Sequence, residues 1–185
     1  MQGRVFMAVV FLLYAASMAI AGVPGDGERL AETCTGCHGT KGASPGNYIP
    51  VIGGQHAGYL KKSLVEYRDG LRPGGVMANL AKGYSDGQID DISKAVASWK
   101  WKNSPIKSAF KGKKLAVETE SCVACHGKKG EGSADTPRIT GQSPGYLKVV
   151  LQEFSDGKRK SPEMELIKGV AATELDKLVI FYTRK

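Results

Sequence analysis

After residue 21 the chain has no apolar stretch long enough to span a bilayer. Nowhere does it alternate apolar and polar side chains as a half-buried strand does. The first absence leaves a mature protein with no internal membrane span, and the second leaves helices and loops as its building material. Imidazole and sulfur are scarce too, with 3 histidines, 4 cysteines and 5 methionines in 185 residues. Any chemistry drawing on these groups has to use nearly all of them.

Two short motifs do so. Cys34-Thr-Gly-Cys37-His38 and Cys122-Val-Ala-Cys125-His126 take every cysteine and two of the three histidines. C-x-x-C-H is the attachment site of c-type haem. Its thiols add to the two vinyl groups of one porphyrin, and the adjoining histidine lies under the iron as an axial ligand. The competing readings are a redox dithiol and a zinc clamp built from both pairs. Neither requires a histidine after each pair, and the clamp would join motifs 88 residues apart. The expected cofactors are two covalently bound haem c groups.

Residues 1–21 carry one basic residue, Arg4, then an apolar run from Val5 to about Ile20, ending in Ala19-Ile20-Ala21. This pattern predicts a secretory signal cleaved after Ala21 and a periplasmic protein. The competing reading is an uncleaved N-terminal anchor. The remainder repeats itself. Cys34, Tyr59, Asp69-Gly70, Arg72 and Met77 recur as Cys122, Tyr146, Asp156-Gly157, Arg159 and Met164, at offsets of 87 or 88. Pro50 and Gly54-Gln55 recur as Pro137 and Gly141-Gln142. Duplication predicts two modules, 22–104 and 105–185, each so small that a covalent haem supplies apolar mass its own core lacks.

The periodicity predicts an all-α fold in both modules. In the first, a helix from Glu28 to about Thr33 delivers Cys34, and a glycine- and proline-rich loop runs from Gly39 to Gly54. A second helix, Tyr59–Asp69, puts Leu60, Leu64 and Tyr67 on one face and is capped by Gly70. A third opens at the capping-box pattern Ser85-Asp86-Gly87-Gln88 and aligns Ile89, Ile92, Val96 and Trp99. The second module repeats this with Gly145–Ser155, then Thr173 onward with Leu175, Leu178, Val179 and Tyr182.

The signal removes Met1, Met7 and Met18. The survivors, Met77 and Met164, lie 43 and 42 residues beyond the first cysteine of their motifs. A methionine in a helical protein usually fills core, but matched repeat positions mark these two as soft sixth ligands that raise the potential of haem iron. His56 has Ser143 as its repeat partner, so it shares no ligand role and is expected to be a loop or surface residue. Pro50 and Pro137 lie between each motif and its methionine. Their carbonyls can accept from the second nitrogen of the ligating imidazole, or the prolines can simply stiffen the loop.

Both halves resemble class I cytochrome c domains, and the tandem is similar to the dihaem cytochrome c4 group. The pattern is Pro-x-Ile-x-Gly-Gln, then Tyr-Leu-Lys, then Asp-Gly-x-Arg before the methionine. Met77-Ala-Asn-Leu-Ala-Lys-Gly-Tyr-Ser85, the Trp99-Lys-Trp101-Lys102-Asn103 linker and Leu175 to Tyr182 resemble the haem subunit of flavocytochrome c sulfide dehydrogenase. The resemblance implies iron ligation by His38/Met77 and His126/Met164, prolines accepting from the histidines, and domains packed about a pseudo-twofold axis.

Charge adds a hint about partners. Residues 22–104 carry 10 basic and 8 acidic side chains, and 105–185 carry 15 and 10. The excess gathers in Lys111-Lys113-Lys114, Lys128-Lys129 and Lys158-Arg159-Lys160. Such clusters steer an acidic redox protein or an anionic membrane surface, the competing reading being an ordinary solvated face. No nucleic-acid-binding motif is present. With both axial positions filled, an iron centre has nowhere to bind a substrate, so no catalytic residue is expected. The chain is read as a one-electron carrier: the electron-accepting subunit of a sulfide-oxidising flavoprotein, or a free carrier feeding a terminal oxidase. A dihaem peroxidase needs one labile ligand, which Met77 and Met164 oppose.

Overall fold

The computed structural model describes residues 26–108 and 119–183. The signal segment and the Lys111-Lys113-Lys114 cluster lie outside the described residues. Among these the regular structure is helical, and the sole β pairing is an isolated bridge between Ser133 and Thr136.

The first half runs α1 (Asp26–Glu32), α2 (Thr35–His38), a 3-10 turn (Thr40–Gly42), α3 (Ala57–Arg68), α4 (Gly75–Ala81) and α5 (Asp86–Ser98). The second half runs α6 (Thr119–His126), α7 (Pro144–Ser155), a 3-10 turn (Pro162–Ile167) and α8 (Ala172–Thr183). Helix α5 starts where its capping box is written. Ser85 Oγ accepts from the Gln88 N–H and the Gln88 side chain accepts from the Ser85 N–H, which satisfies two orphan donors of the first turn. Its stripe of Ile89, Ile92 and Val96 is buried. Helices α1 and α3 pack on it, closing a core of Ala31, Leu60, Ile92, Val96 and Trp99. In the second half α7 packs on α8, with Leu147, Val179 and Tyr182 in one cluster and Phe154, Ile167 and Leu175 in another.

Two turns follow from Asp-Gly-x-Arg. Helix α3 ends in a Schellman motif: Gly70 adopts φ 72° and donates to the Tyr67 carbonyl, while Leu71 donates to that of Glu66. Arg72 N–H then also donates to the Glu66 carbonyl, and in the repeat Arg159 N–H donates to that of Glu153. Each arginine is thereby turned back along the helix it follows, over the ring of Tyr67 or Phe154 at 4.5 and 4.6 Å.

The halves meet through polar contacts that recur across the repeat. Gln142 holds both backbone groups of Val51, and Gln55 holds both backbone groups of Arg138. His56 is a loop residue, as expected, but it also makes a contact that the sequence did not mark. It precedes α3 in a loop but is half-buried, and its Nε2 lies 2.8 Å from the Glu131 carbonyl of the other half. Its repeat partner plays the corresponding part, since Ser143 Oγ donates to the Ile49 carbonyl at 3.0 Å.

Candidate functional site: a shared cavity carrying two C-x-x-C-H motifs

Each motif sits at the end of a short helix. After α1 the chain turns at Thr33-Cys34, and the single turn of α2 carries Cys37 and His38. In the second half Cys122, Cys125 and His126 occupy the last turns of α6. Both imidazoles are buried, at 7% and 8% exposure. His38 Nδ1 lies 2.9 Å from the Pro50 carbonyl oxygen, and His126 Nδ1 lies 2.9 Å from that of Pro137. A carbonyl only accepts, so each Nδ1 carries the hydrogen and each Nε2 keeps its lone pair. Burial pulls both imidazole pKa values down, which keeps the rings neutral, as a metal ligand must be. The Cys34 and Cys122 thiols are pushed up by burial, the reverse of the lowered pKa of a redox dithiol. Among the described residues no three His, Cys, Asp or Glu gather into a metal-holding cluster, so the two pairs do not form one clamp.

One continuous cavity of about 770 Å³ runs through both halves and touches both motifs, Met77 and Met164. Met77 is carried on α4, a helix that the periodicity did not mark. Met164 sits in the 3-10 turn beside Ile167 and packs against the Phe154–Leu175 cluster. Val76 and Leu80, one turn apart on α4, line the cavity with Val149 and Leu166, and all four are exposed to it.

Where the halves join, the cavity wall carries two phenols and two guanidiniums, Tyr59, Tyr146, Arg72 and Arg159. Arg72 Nη2 donates to the Tyr146 hydroxyl at 2.8 Å, and Arg159 hydrogen-bonds the Tyr59 phenol, so each arginine reaches the tyrosine of the opposite half. Burial is the largest influence on Tyr59 and opposes its ionisation, but Arg72 and Arg159 outweigh it and hold the phenol below its usual range. Burial, with Tyr59 beside it, raises the Tyr146 phenol instead. Arg159 is therefore no part of a basic surface cluster. It is 8% exposed and turned inward, which leaves Lys158 and Lys160 exposed at that corner. Sequence reasoning finds these four residues only as repeat positions. Their matched offsets are the signal, and nothing in the spacing tells that they meet.

The comparisons with known proteins agree with this geometry. The family model described as Cytochrome c matches residues 25–99 and 109–174. The chain belongs to the cytochrome c family. Cytochrome c4 of Stutzerimonas stutzeri is 30% identical over 192 residues, covering 92% of this chain and 91% of that protein. The thiosulfate dehydrogenase electron acceptor of Thiomonas intermedia is 28% identical over 178 residues, covering 89% and 80%. The crystal structure of reduced cytochrome c4 from Pseudomonas stutzeri superposes with a TM-score of 0.72 at 26% identity, over 88% of this chain and 98% of that one. The protein is a dihaem class I cytochrome of the c4 group, an all-α electron-transfer protein with two covalent haem c groups.

The cytochrome's cavity fits that cofactor pair. Its walls offer apolar side chains to a flat macrocycle. At the junction Arg72 Nε is buried with no partner, beside a second guanidinium, and the pair would offer donors to haem carboxylates. Among the described residues no helix is long and apolar enough to cross a membrane.

Proposed function

We propose that Cys34, Cys37 and His38 hold one haem and Cys122, Cys125 and His126 the other. Met77 and Met164 complete the axial pairs, and Pro50 and Pro137 orient the histidines. The observation that carries this is the matched placement of His Nδ1 on a proline carbonyl in both halves, with both methionines on the same cavity. Bound haem supplies one-electron iron chemistry of a potential set by its ligands and surroundings. The chain's residues attach it, keep each imidazole neutral and in one tautomer, and shield the cavity.

The cytochrome is exported to the periplasm, with residues 1–21 as its cleaved signal and 22–104 and 105–185 as its domains. It has no catalytic residue and accepts single electrons from a dehydrogenase of a reduced sulfur compound. Similarity to thiosulfate dehydrogenase electron acceptors supports a sulfur donor. The resemblance of Met77–Ser85 to the haem subunit of a sulfide-oxidising flavocytochrome supports a flavoprotein as that donor. A second reading, supported by similarity to cytochrome c4, is a free carrier between a membrane complex, where it associates peripherally, and a terminal oxidase.

The test is the flavin content of the haem-containing peak purified from native periplasm. Flavin near one per two haems means the flavoprotein subunit. Haem without flavin, reducible by a thiosulfate dehydrogenase, means a sulfur-linked acceptor that docks transiently. Haem without flavin that no sulfur-compound dehydrogenase reduces leaves the free carrier.

A further inference from the structure

The proline carbonyl that accepts from each histidine belongs to a peptide unit whose other end is held by the opposite domain. Pro50 C=O and Val51 N–H form one planar peptide group. On its carbonyl side His38 Nδ1 donates at 2.9 Å, and on its amide side Val51 N–H donates to Gln142 Oε1 at 2.7 Å. Gln142 Nε2 also donates to the Val51 carbonyl at 2.8 Å, so one side-chain amide takes both groups of Val51. The repeat builds the mirror arrangement. His126 Nδ1 donates to Pro137 C=O at 2.9 Å, and the N–H of the same peptide, on Arg138, donates to Gln55 Oε1 at 2.9 Å. Gln55 Nε2 returns a bond to the Arg138 carbonyl at 2.9 Å. Gln55 and Gln142 are 3% and 4% exposed and Val51 is 1% exposed, so water does not compete for the bonds at Val51, while those at Arg138 are half-buried.

We propose that Gln142 and Gln55 are crosswise positioning residues, each tuning the haem-ligand histidine of the other domain through a single peptide unit. This rests on the proposed ligation by His38 and His126. Hydrogen bonds in series polarise one another in a low-dielectric interior. An acceptor on the Val51 N–H makes the Pro50 carbonyl a stronger acceptor, and the His38 imidazole becomes more basic. A more basic ligand favours oxidised iron, so Gln142 lowers the potential of the first haem and Gln55 that of the second. The link runs through the domain interface and ties each site to the correct docking of its neighbour.

The experiment is a redox titration of the haem-loaded protein, the haems resolved by the NMR signals of their axial methionine methyls. Met77→Ala and Met164→Ala each remove one signal and so assign the pair. If neither removes a signal, the ligation reading itself fails, separately from this proposal. Gln142→Met, similar in size but unable to accept from Val51 N–H, raises the midpoint of the first haem and leaves the second in place. Gln55→Met does the converse. Gln142→Glu, which restores an Oε1 acceptor, brings the first haem back toward its original midpoint. Where the methionine variant does not fold, Gln142→Asn, one methylene too short to reach, carries the same reading. A shift of both haems together, a shift of the haem on the mutated residue's own domain, or no shift with both methyl signals present overturns the proposal.

Discussion

The chemistry of one imidazole turns on which nitrogen holds the proton, and here a proline carbonyl decides it twice. Proline has no N–H to offer, but its carbonyl remains free to accept, and both His38 and His126 use it. The methionines proposed as sixth ligands line the same cavity. Thioether sulfur stabilises reduced iron, so Met77→Ala keeps the haem attached through Cys34 and Cys37 and lowers the potential of that site alone. The fall is on the order of 0.1 V or more, within the roughly 0.8 V that axial ligands span. Spectroelectrochemistry of the variant measures it. An unchanged midpoint would remove Met77 from the ligand set.

At the scale of elements, the Asp-Gly-x-Arg turn links helix termination to the cavity wall. Gly70 and Gly157 sit at φ 72° and 68°, and a Cβ built on either meets no atom within 4 Å. The cost of Gly157→Ala is therefore conformational rather than steric, about 1 kcal/mol for a left-handed residue. It appears as a small drop in the melting temperature of the haem-loaded protein; an unchanged melt would mean that the turn relaxes freely. The amphipathic helices were legible because their apolar stripes face a protein core: Ile89, Ile92 and Val96 on α5, and Leu175 and Val179 on α8. Helix α4 was not, because Val76 and Leu80 face the cavity, and Gly74-Gly75 at its start reads as a loop. That the C-x-x-C-H motifs, methionines and prolines belong together was legible from their repeated spacing, and the structure brings them onto one cavity. The partners of Gln55, Gln142 and His56 were not. Each bonds to backbone, and backbone carbonyls and amides carry no signature in sequence.

Across the whole molecule, contacts inside and contacts outside answer to different forces. The bonds joining the halves are neutral and buried or half-buried, or lie between guanidinium and phenol on the cavity wall, where mobile ions screen little. The full sequence carries a formal net charge of +8, and Lys128, Lys129, Lys158 and Lys160 stand exposed on the surface. Such a surface accelerates encounter with an acidic partner by about 10-fold or more at low salt. Raising ionic strength shortens the screening length from about 10 Å at 0.1 M to about 3 Å at 1 M. Stopped-flow reduction by an acidic redox protein should therefore slow about tenfold across that range. Equilibration between the two haems, read in the same traces after partial reduction, should keep its rate, because the contacts that fix their separation are not exposed to salt. If inter-haem exchange slowed in step with reduction, the halves would be held by screened surface charge instead of by the buried glutamines and the arginine–tyrosine cluster.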